Sequence, residues 1–264
     1  MIVSSVAMVL LAAPLIAPYD PGEMDFENLL KPPSFNHWLG TDGLGRDLLS
    51  RILFGGRVSF LVSILAISIA AGNGIIIGLT SGYFGGKLDA VIMRGIDILL
   101  AFPAFILALA LTTSFGFGVF SLIIAIGISY TPNFARIARG SVLSIKQEEF
   151  VEAAKSIGVK DVNIMIIEIL PNCLAPLIVQ ATVAVGFAII MEAGLSFLGV
   201  GIQPPSFSWG TMLASGREYL VNGPWVVSFA GLAITYAVLG MNLLGDGLRD
   251  ALDARLKTYV RNTG

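Results

Sequence analysis

Ionisable side chains interrupt this chain only at long intervals. Asp, Glu, Lys and Arg are absent from residues 58–86, 98–135, 169–191 and 219–245. A hydrocarbon core about 30 Å thick takes roughly 20 residues of helix to cross, so each run is long enough for a transmembrane span. The second run is too long for one crossing. A polar and glycine-rich cluster, Thr112, Thr113, Ser114, Gly116 and Gly118, divides it into spans around 92–111 and 119–130. A further apolar stretch, residues 1–17, ends at Pro18, Asp20 and Pro21. Small residues near its end fit a signal peptide, but it lacks a basic leading region. We read it as a span whose cytoplasmic start lies outside this reading frame. The pattern predicts an all-α integral membrane protein with about six transmembrane helices. It has three parts: 1–57, a first helix and an external amphipathic segment; 58–250, the transmembrane domain; and 251–264, a cytoplasmic tail.

Composition agrees with a lipid-embedded chain. Of 264 residues 55% are hydrophobic and 13% charged, and the mean hydropathy is +0.83, far above what one soluble core requires. The net charge of −2 gives no support to a nucleic-acid partner, which would call for clustered basic surface. With Cys173 and His37 the only cysteine and histidine, an intrachain disulfide and the usual zinc ligand sets are excluded. Eleven of the sixteen Lys and Arg residues fall on one side when both termini are placed in the cytoplasm, as the positive-inside rule favours. The expected location is the plasma or inner membrane, multi-pass.

Residues 133–172 form the longest cytoplasmic segment on this topology. Residues 150–158 read as a short helix stopped by Gly158, the residue best able to adopt a left-handed conformation after a last turn. A second helix is expected with Asp161 as N-cap and an apolar run over 164–170, ending at Pro171. Ala153 and Ala154 offer a low-profile face, and Glu152 with Lys155 a charged edge. Glu152-Ala153-Ala154, Gly158 and the closing Leu170-Pro171 resemble the coupling motif of ABC importer membrane subunits, with Glu168 where the general pattern has an aliphatic residue. The stretch 37–51, His-Trp-Leu-Gly-Thr-Asp-Gly-Leu-Gly-Arg-Asp-Leu-Leu-Ser-Arg, is similar to the signature of the dipeptide, oligopeptide and nickel permeases. Stretches 192–199 and 242–250 resemble the same branch, so the likeness covers almost the whole chain. In residue terms, Asp42 and Asp47 of the first stretch can neutralise Arg46 and Arg51; a metal site on His37 and Asp42 is the weaker alternative.

The resemblance implies a type I ABC importer transmembrane domain with a cytoplasmic coupling helix. It implies half of a translocation pathway for peptides or a related small solute, working by alternating access. The expected partners are a second related permease, two ABC ATPase subunits that bind ATP and Mg, an external solute-binding protein and the lipid bilayer. Nickel or another small solute carried by the same architecture is the alternative cargo. An ion-coupled secondary transporter is the alternative class, with Glu192 the best ionisable candidate inside a span. No cofactor is expected in this chain and no enzymatic activity: Ser81 and Leu88 break the phosphate-loop template around Gly86-Lys87, and HExxH and G-x-S-x-G are absent.

Three further features stand out. Ala66, Ala70, Gly74, Gly78 and Gly82 recur every fourth position, a stripe that lets a second helix approach closely, from within the chain or from another subunit. Pro103 deprives the carbonyl of Leu99 of its helical partner, which predicts a kink that either lines a gate or is merely structural. Arg94 and Asp97 are spaced to pair on one helix. The polar loop 196–225 is expected outside, with Gln203, Pro204, Trp209 and Gly210 as candidate contacts for a binding protein.

Overall fold

The computed structural model describes residues 8–263, and side chains only as far as residue 252. The amino-terminal span expected over 1–17 lies partly outside these residues; of it the short helix α1 (Ala13–Ile16) is described. The other elements are α2 (Leu48–Phe84), α3 (Gly86–Leu100), α4 (Ala104–Phe115), α5 (Val119–Ile145), α6 (Glu149–Ser156), α7 (Asp161–Asn163), a π-helical turn (Ile164–Ile169), α8 (Leu170–Phe197), α9 (Trp209–Gly216), a short 3-10 turn (Arg217–Tyr219) and α10 (Pro224–Thr263). Among the described residues four helices are long and apolar enough to cross a membrane, Leu48–Phe84, Val119–Ile145, Asp161–Phe197 and Pro224–Leu252. The pair α3 and α4 makes a fifth if the two are taken as one span, bent by 88°.

Several boundaries differ from those read in the sequence. Thr113 and Ser114 do not open a turn, because their hydroxyls donate back to the carbonyls of Leu109 and Ala110 and remain helical. The turn is left to Gly116 and Gly118 at φ +92° and +132°. Around Pro103 the chain breaks instead of kinking: Phe102 N–H closes a tight turn on the carbonyl of Leu99, which thereby regains a partner. The fourth span runs on through the buried Pro132 to Ile145, so the segment expected to leave the membrane at residue 133 leaves the helix only after 145. A proline inside a lipid-embedded helix is tolerated because neighbouring groups satisfy the freed carbonyl. Residues 251–263 continue α10 as helix.

Chain contacts divide the protein into two units. The first comprises Met1–Leu65, Leu109–Ile123 and Val185–Asn242; the second comprises Ala66–Ala108, Ile124–Ala184 and Leu243–Gly264. In the first, residues 20–47 fold as turns on the start of α2. Asp42 accepts from Arg46 at 2.8 Å and faces Arg51 at 3.4 Å, so one carboxylate serves both arginines. Asp47 takes His37 instead, at 2.9 Å, and accepts from the backbone and hydroxyl of Ser50. No cluster of His, Cys, Asp or Glu suited to a metal ion occurs among the described residues.

In the second unit the small-residue stripe of α2 lies against α5. Ala66 and Ala70 are fully buried. A Cβ on Gly78 would fall 2.5 Å from the Cβ of Ala138, one on Gly82 2.9 Å from Val142, and one on Gly74 into Phe134. The two backbones therefore touch where only glycine fits, and the choice left open by the sequence falls on packing within the chain. Asp97 pairs with Arg136 of α5 at 2.6 Å rather than with Arg94.

Candidate functional site

Helix α6 and the corner after it carry the residues singled out between 152 and 158. Glu149 and Glu152 lie in the first turn of α6 and Lys155 in the last, the arrangement that complements a helix dipole. Val151 and Ala154, three apart, are buried, and the helix packs by this side on the π-helical turn. Ala154 is thus withdrawn from the face expected to show both alanines, and Ala153 alone is presented. Beside it the exposed Phe150 and Ile157 complete an apolar row at helical spacing, Ile157 being 81% accessible. The sequence reading passed over Phe150 and Ile157, although their spacing around Ala153 was the available signal.

Gly158 makes the corner. It sits at φ +79°, its N–H bonds to the carbonyl of Lys155 at 3.0 Å, and the N–H of Val159 bonds to the carbonyl of Ala154 at 3.1 Å. These two bonds are the Schellman closure of a helix, which demands a left-handed residue at this position. A Cβ there would meet nothing within 4 Å. The glycine is required by backbone conformation and not by crowding.

Beyond the corner the structure departs from the expected second short helix. Asp161 is the first residue of α7 and caps nothing with its side chain; Lys160 is the N-cap, and Asp161 accepts from the hydroxyl of Tyr83 at 2.7 Å. Pro171 does not end the helix: residues Asp161–Phe197 run through it as one body. The π-helical turn immediately before it, closed by Leu170 N–H on the carbonyl of Met165, widens the backbone where the proline ring enters. The Asn172 amide donates to the carbonyl of Glu168 at 2.6 Å. Leu170 is half-buried and Pro171 exposed at the base of α8, apart from the α6 corner in sequence and element.

Two groups brace the end of α2 in the same unit. Asp89 accepts a two-pronged contact from Arg139, both bonds 2.6 Å, and a bond from Ser81. Lys146 donates to the carbonyl of Gly82 at 2.8 Å. Between them, Gly85 and Gly86 at φ +66° and +58° turn the chain from α2 into α3.

In the first unit a second polar constellation surrounds Glu192, which is fully buried. Three hydroxyls donate to it: Ser59 of α2 at 2.8 Å, Ser196 one turn along α8 at 2.8 Å, and Ser208 at 2.7 Å. Ser208 is also the N-cap of α9, in a reciprocal box with Thr211. Trp209 is 2% accessible and donates its indole N–H to the carbonyl of Ile52 at 2.8 Å. A Cβ on Gly210 would fall 2.6 Å from the backbone of Ala193. Trp209 and Gly210 are therefore wedged into the helices and unavailable to an external partner, contrary to the sequence expectation, while Gln203 and Pro204 are exposed. Ser196 is four residues from Glu192, but Ser59 and Ser208 are 133 and 16 residues away, so sequence proximity does not reveal the whole cluster.

The α6 corner thus presents an exposed apolar helical face closed by Gly158, in a chain rich in long apolar helices. Comparison with known proteins identifies the family. Residues 74–258 match the family profile of binding-protein-dependent transport system inner membrane components. The di/tripeptide transport system permease protein DppC of Pseudomonas aeruginosa is 46% identical over 253 residues, covering 94% of this chain and 84% of that protein. The glutathione transport system permease protein GsiD of Escherichia coli O157:H7 is 45% identical over 243 residues, covering 92% and 80%. The fold is similar to a chain of the MetNI methionine ABC transporter in inward-facing conformations, with a TM-score of 0.58 at 19% identity over 77% of this chain and 97% of that one. With its spans, its glycine corner and a profile match over most of its length, the chain belongs to the binding-protein-dependent inner membrane components and is a permease subunit of an ABC importer.

Proposed function

We propose that this permease subunit forms half of a peptide pathway and that the α6 corner is where a separate ATPase subunit takes hold. The observation that carries this reading is the exposed apolar row Phe150, Ala153 and Ile157 on a helix rigidly ended at Gly158. An apolar helical face edged by Glu152 and Lys155 suits a groove in a partner, which reads such a face through anchors at helical spacing. On this reading ATP and Mg are bound by the partner and this chain acts as lever. Both termini and the α6 corner lie in the cytoplasm, and Gln203 and Pro204 lie outside, within reach of a solute-binding protein. Peptides are the proposed cargo because relatives 46% and 45% identical are named for di- and tripeptides and for glutathione, itself a tripeptide.

The test is uptake of labelled dialanine into vesicles holding this chain, its second permease, the ATPase subunits and the binding protein. Uptake is expected to require ATP inside the cytoplasmic face and to be indifferent to collapse of ion gradients. Uptake that stops with the gradient and not with ATP would overturn the reading. Omitting the second permease is expected to abolish transport.

A further inference from the structure

We infer that Tyr83 is a positioning residue that sets the angle of the α6 corner by touching the chain on both sides of Gly158. The inference rests on the reading of that corner as the ATPase-docking element and adds what holds its aim. Tyr83 stands in the last turn of α2. Its hydroxyl donates to Oδ1 of Asp161 at 2.7 Å, three residues after the glycine. Its ring lies under Nζ of Lys155, 5.2 Å from the centroid and three residues before the glycine, within reach of a cation–π contact. One side chain thus contacts both arms of a bend whose apex has no packing of its own, Gly158 having nothing near the place of a Cβ. A Schellman closure fixes the backbone at one residue, but the direction of a protruding helix needs a contact off its axis.

Tyr83 is itself well held. Ser81 and Gly82, its neighbours, are tied to Asp89 and to Lys146, and Asp89 is gripped by Arg139. The next glycine inward on the stripe, Gly78, has α5 in backbone contact. A displacement of α6 by a bound partner is therefore passed to the end of a 37-residue helix and not absorbed at the glycine. The exposed setting of the Tyr83–Asp161 bond limits its static contribution, so its loss is expected to alter the corner's angular spread more than the stability of the fold.

The experiment uses the full transporter in vesicles, on a Cys173→Ser background, with spin labels at Ile76→Cys and Ser156→Cys, both exposed and outside the docking row. Wild-type Tyr83 is expected to give one narrow distance distribution, nucleotide-free and after trapping with MgATP and vanadate. Tyr83→Ala is expected to broaden it, and Tyr83→Phe, which keeps the ring under Lys155, to broaden it less. Stimulation of ATP hydrolysis by the solute-binding protein is expected to fall roughly two- to tenfold in Tyr83→Ala, the factor that loss of one net hydrogen bond gives an equilibrium, with partial rescue in Tyr83→Phe. An unchanged distribution and unchanged stimulation in Tyr83→Ala would overturn the inference. Ala153→Arg separates this from failure of the docking reading. If that variant still copurifies with the ATPase subunits, the docking face is elsewhere; if it loses them while Tyr83→Ala behaves as wild type, only the strut is refuted.

Discussion

Glu192 in the first unit and Asp89 in the second are both carboxylates that bind several elements together, and they do so with opposite chemistry. Glu192 is fully buried and meets three neutral hydroxyls; Asp89 is partly exposed and meets the fork of Arg139 with one hydroxyl. A buried group with neutral donors depends on every partner being in place, because each unpaired polar atom there has no water to turn to. A partly exposed ion pair keeps water as a substitute, and its strength is shared with solvent. The polar cluster around Trp209 in the first unit therefore tolerates the loss of a partner less well than the ion pairs of the second.

The largest effect should follow from Glu192→Ala. It leaves three buried hydroxyls without their acceptor, at roughly 1–3 kcal/mol for each that finds no other partner. Thermal unfolding in lipid nanodiscs should shift strongly downward, while Glu192→Gln, which keeps one acceptor oxygen, should shift less. An unchanged midpoint in the alanine variant would erase the contrast between the units. Next comes Gly78→Leu, which drives a side chain into Ala138 and the backbone of α5; overpacking of this kind costs about 1–3 kcal/mol. Gly72→Ala, with open space around its Cβ, is the control and should be neutral or slightly stabilising in the same measurement.

Gly158→Val sharpens the comparison in another way. The left-handed conformation costs an L-residue roughly 1–2 kcal/mol, yet no atom stands near the new Cβ. The expected outcome is an unfolding midpoint lowered less than in Glu192→Ala, with ATP hydrolysis uncoupled from dialanine uptake. Normal coupling would mean that the glycine is only a loop residue. The smallest effect is expected from Arg136→Ala, which removes a pair whose side chains are 55% and 46% accessible; exposed pairs contribute about 0–1 kcal/mol. A midpoint shift as large as that of Glu192→Ala would refute the view that the second unit's pairs are solvent-shared.

What the sequence made legible follows from range. The spans were readable because lipid imposes a length and a composition on every crossing residue, and the α6 corner because a Schellman closure is decided within a few positions of Gly158. The stripe of α2 was legible as a packing face, but its partner was not, since Gly78 and Ala138 are 60 residues apart and nothing local joins them. Asp161 shows the same limit: as a first-turn acidic residue it read as a cap, and only the folded chain brings Tyr83 to it. Trp209 and Gly210 were misplaced because polar loop composition suggests exposure, whereas their loop is held inward by Glu192 on the preceding helix and by the carbonyl of Ile52 on α2. Pro171 misled for a reason of backbone geometry, since a proline ordinarily ends a helix and here a widened turn admits it.

That widened turn has a consequence for how the corner is aimed. A π turn is one residue inserted into an α-helix, and one residue is about 100° of rotation about the helix axis. The surfaces before and after Ile164–Ile169 are therefore out of phase with those of an uninterrupted helix by that amount. Deleting a single residue within the turn would restore α-helical phase, swing Asp161 away from Tyr83 and rotate the α6 corner about the axis of α8, all without altering any side chain of the docking face. The aim of the corner is in this sense written in the length of the chain, and a one-residue insertion or deletion changes it more than most substitutions can.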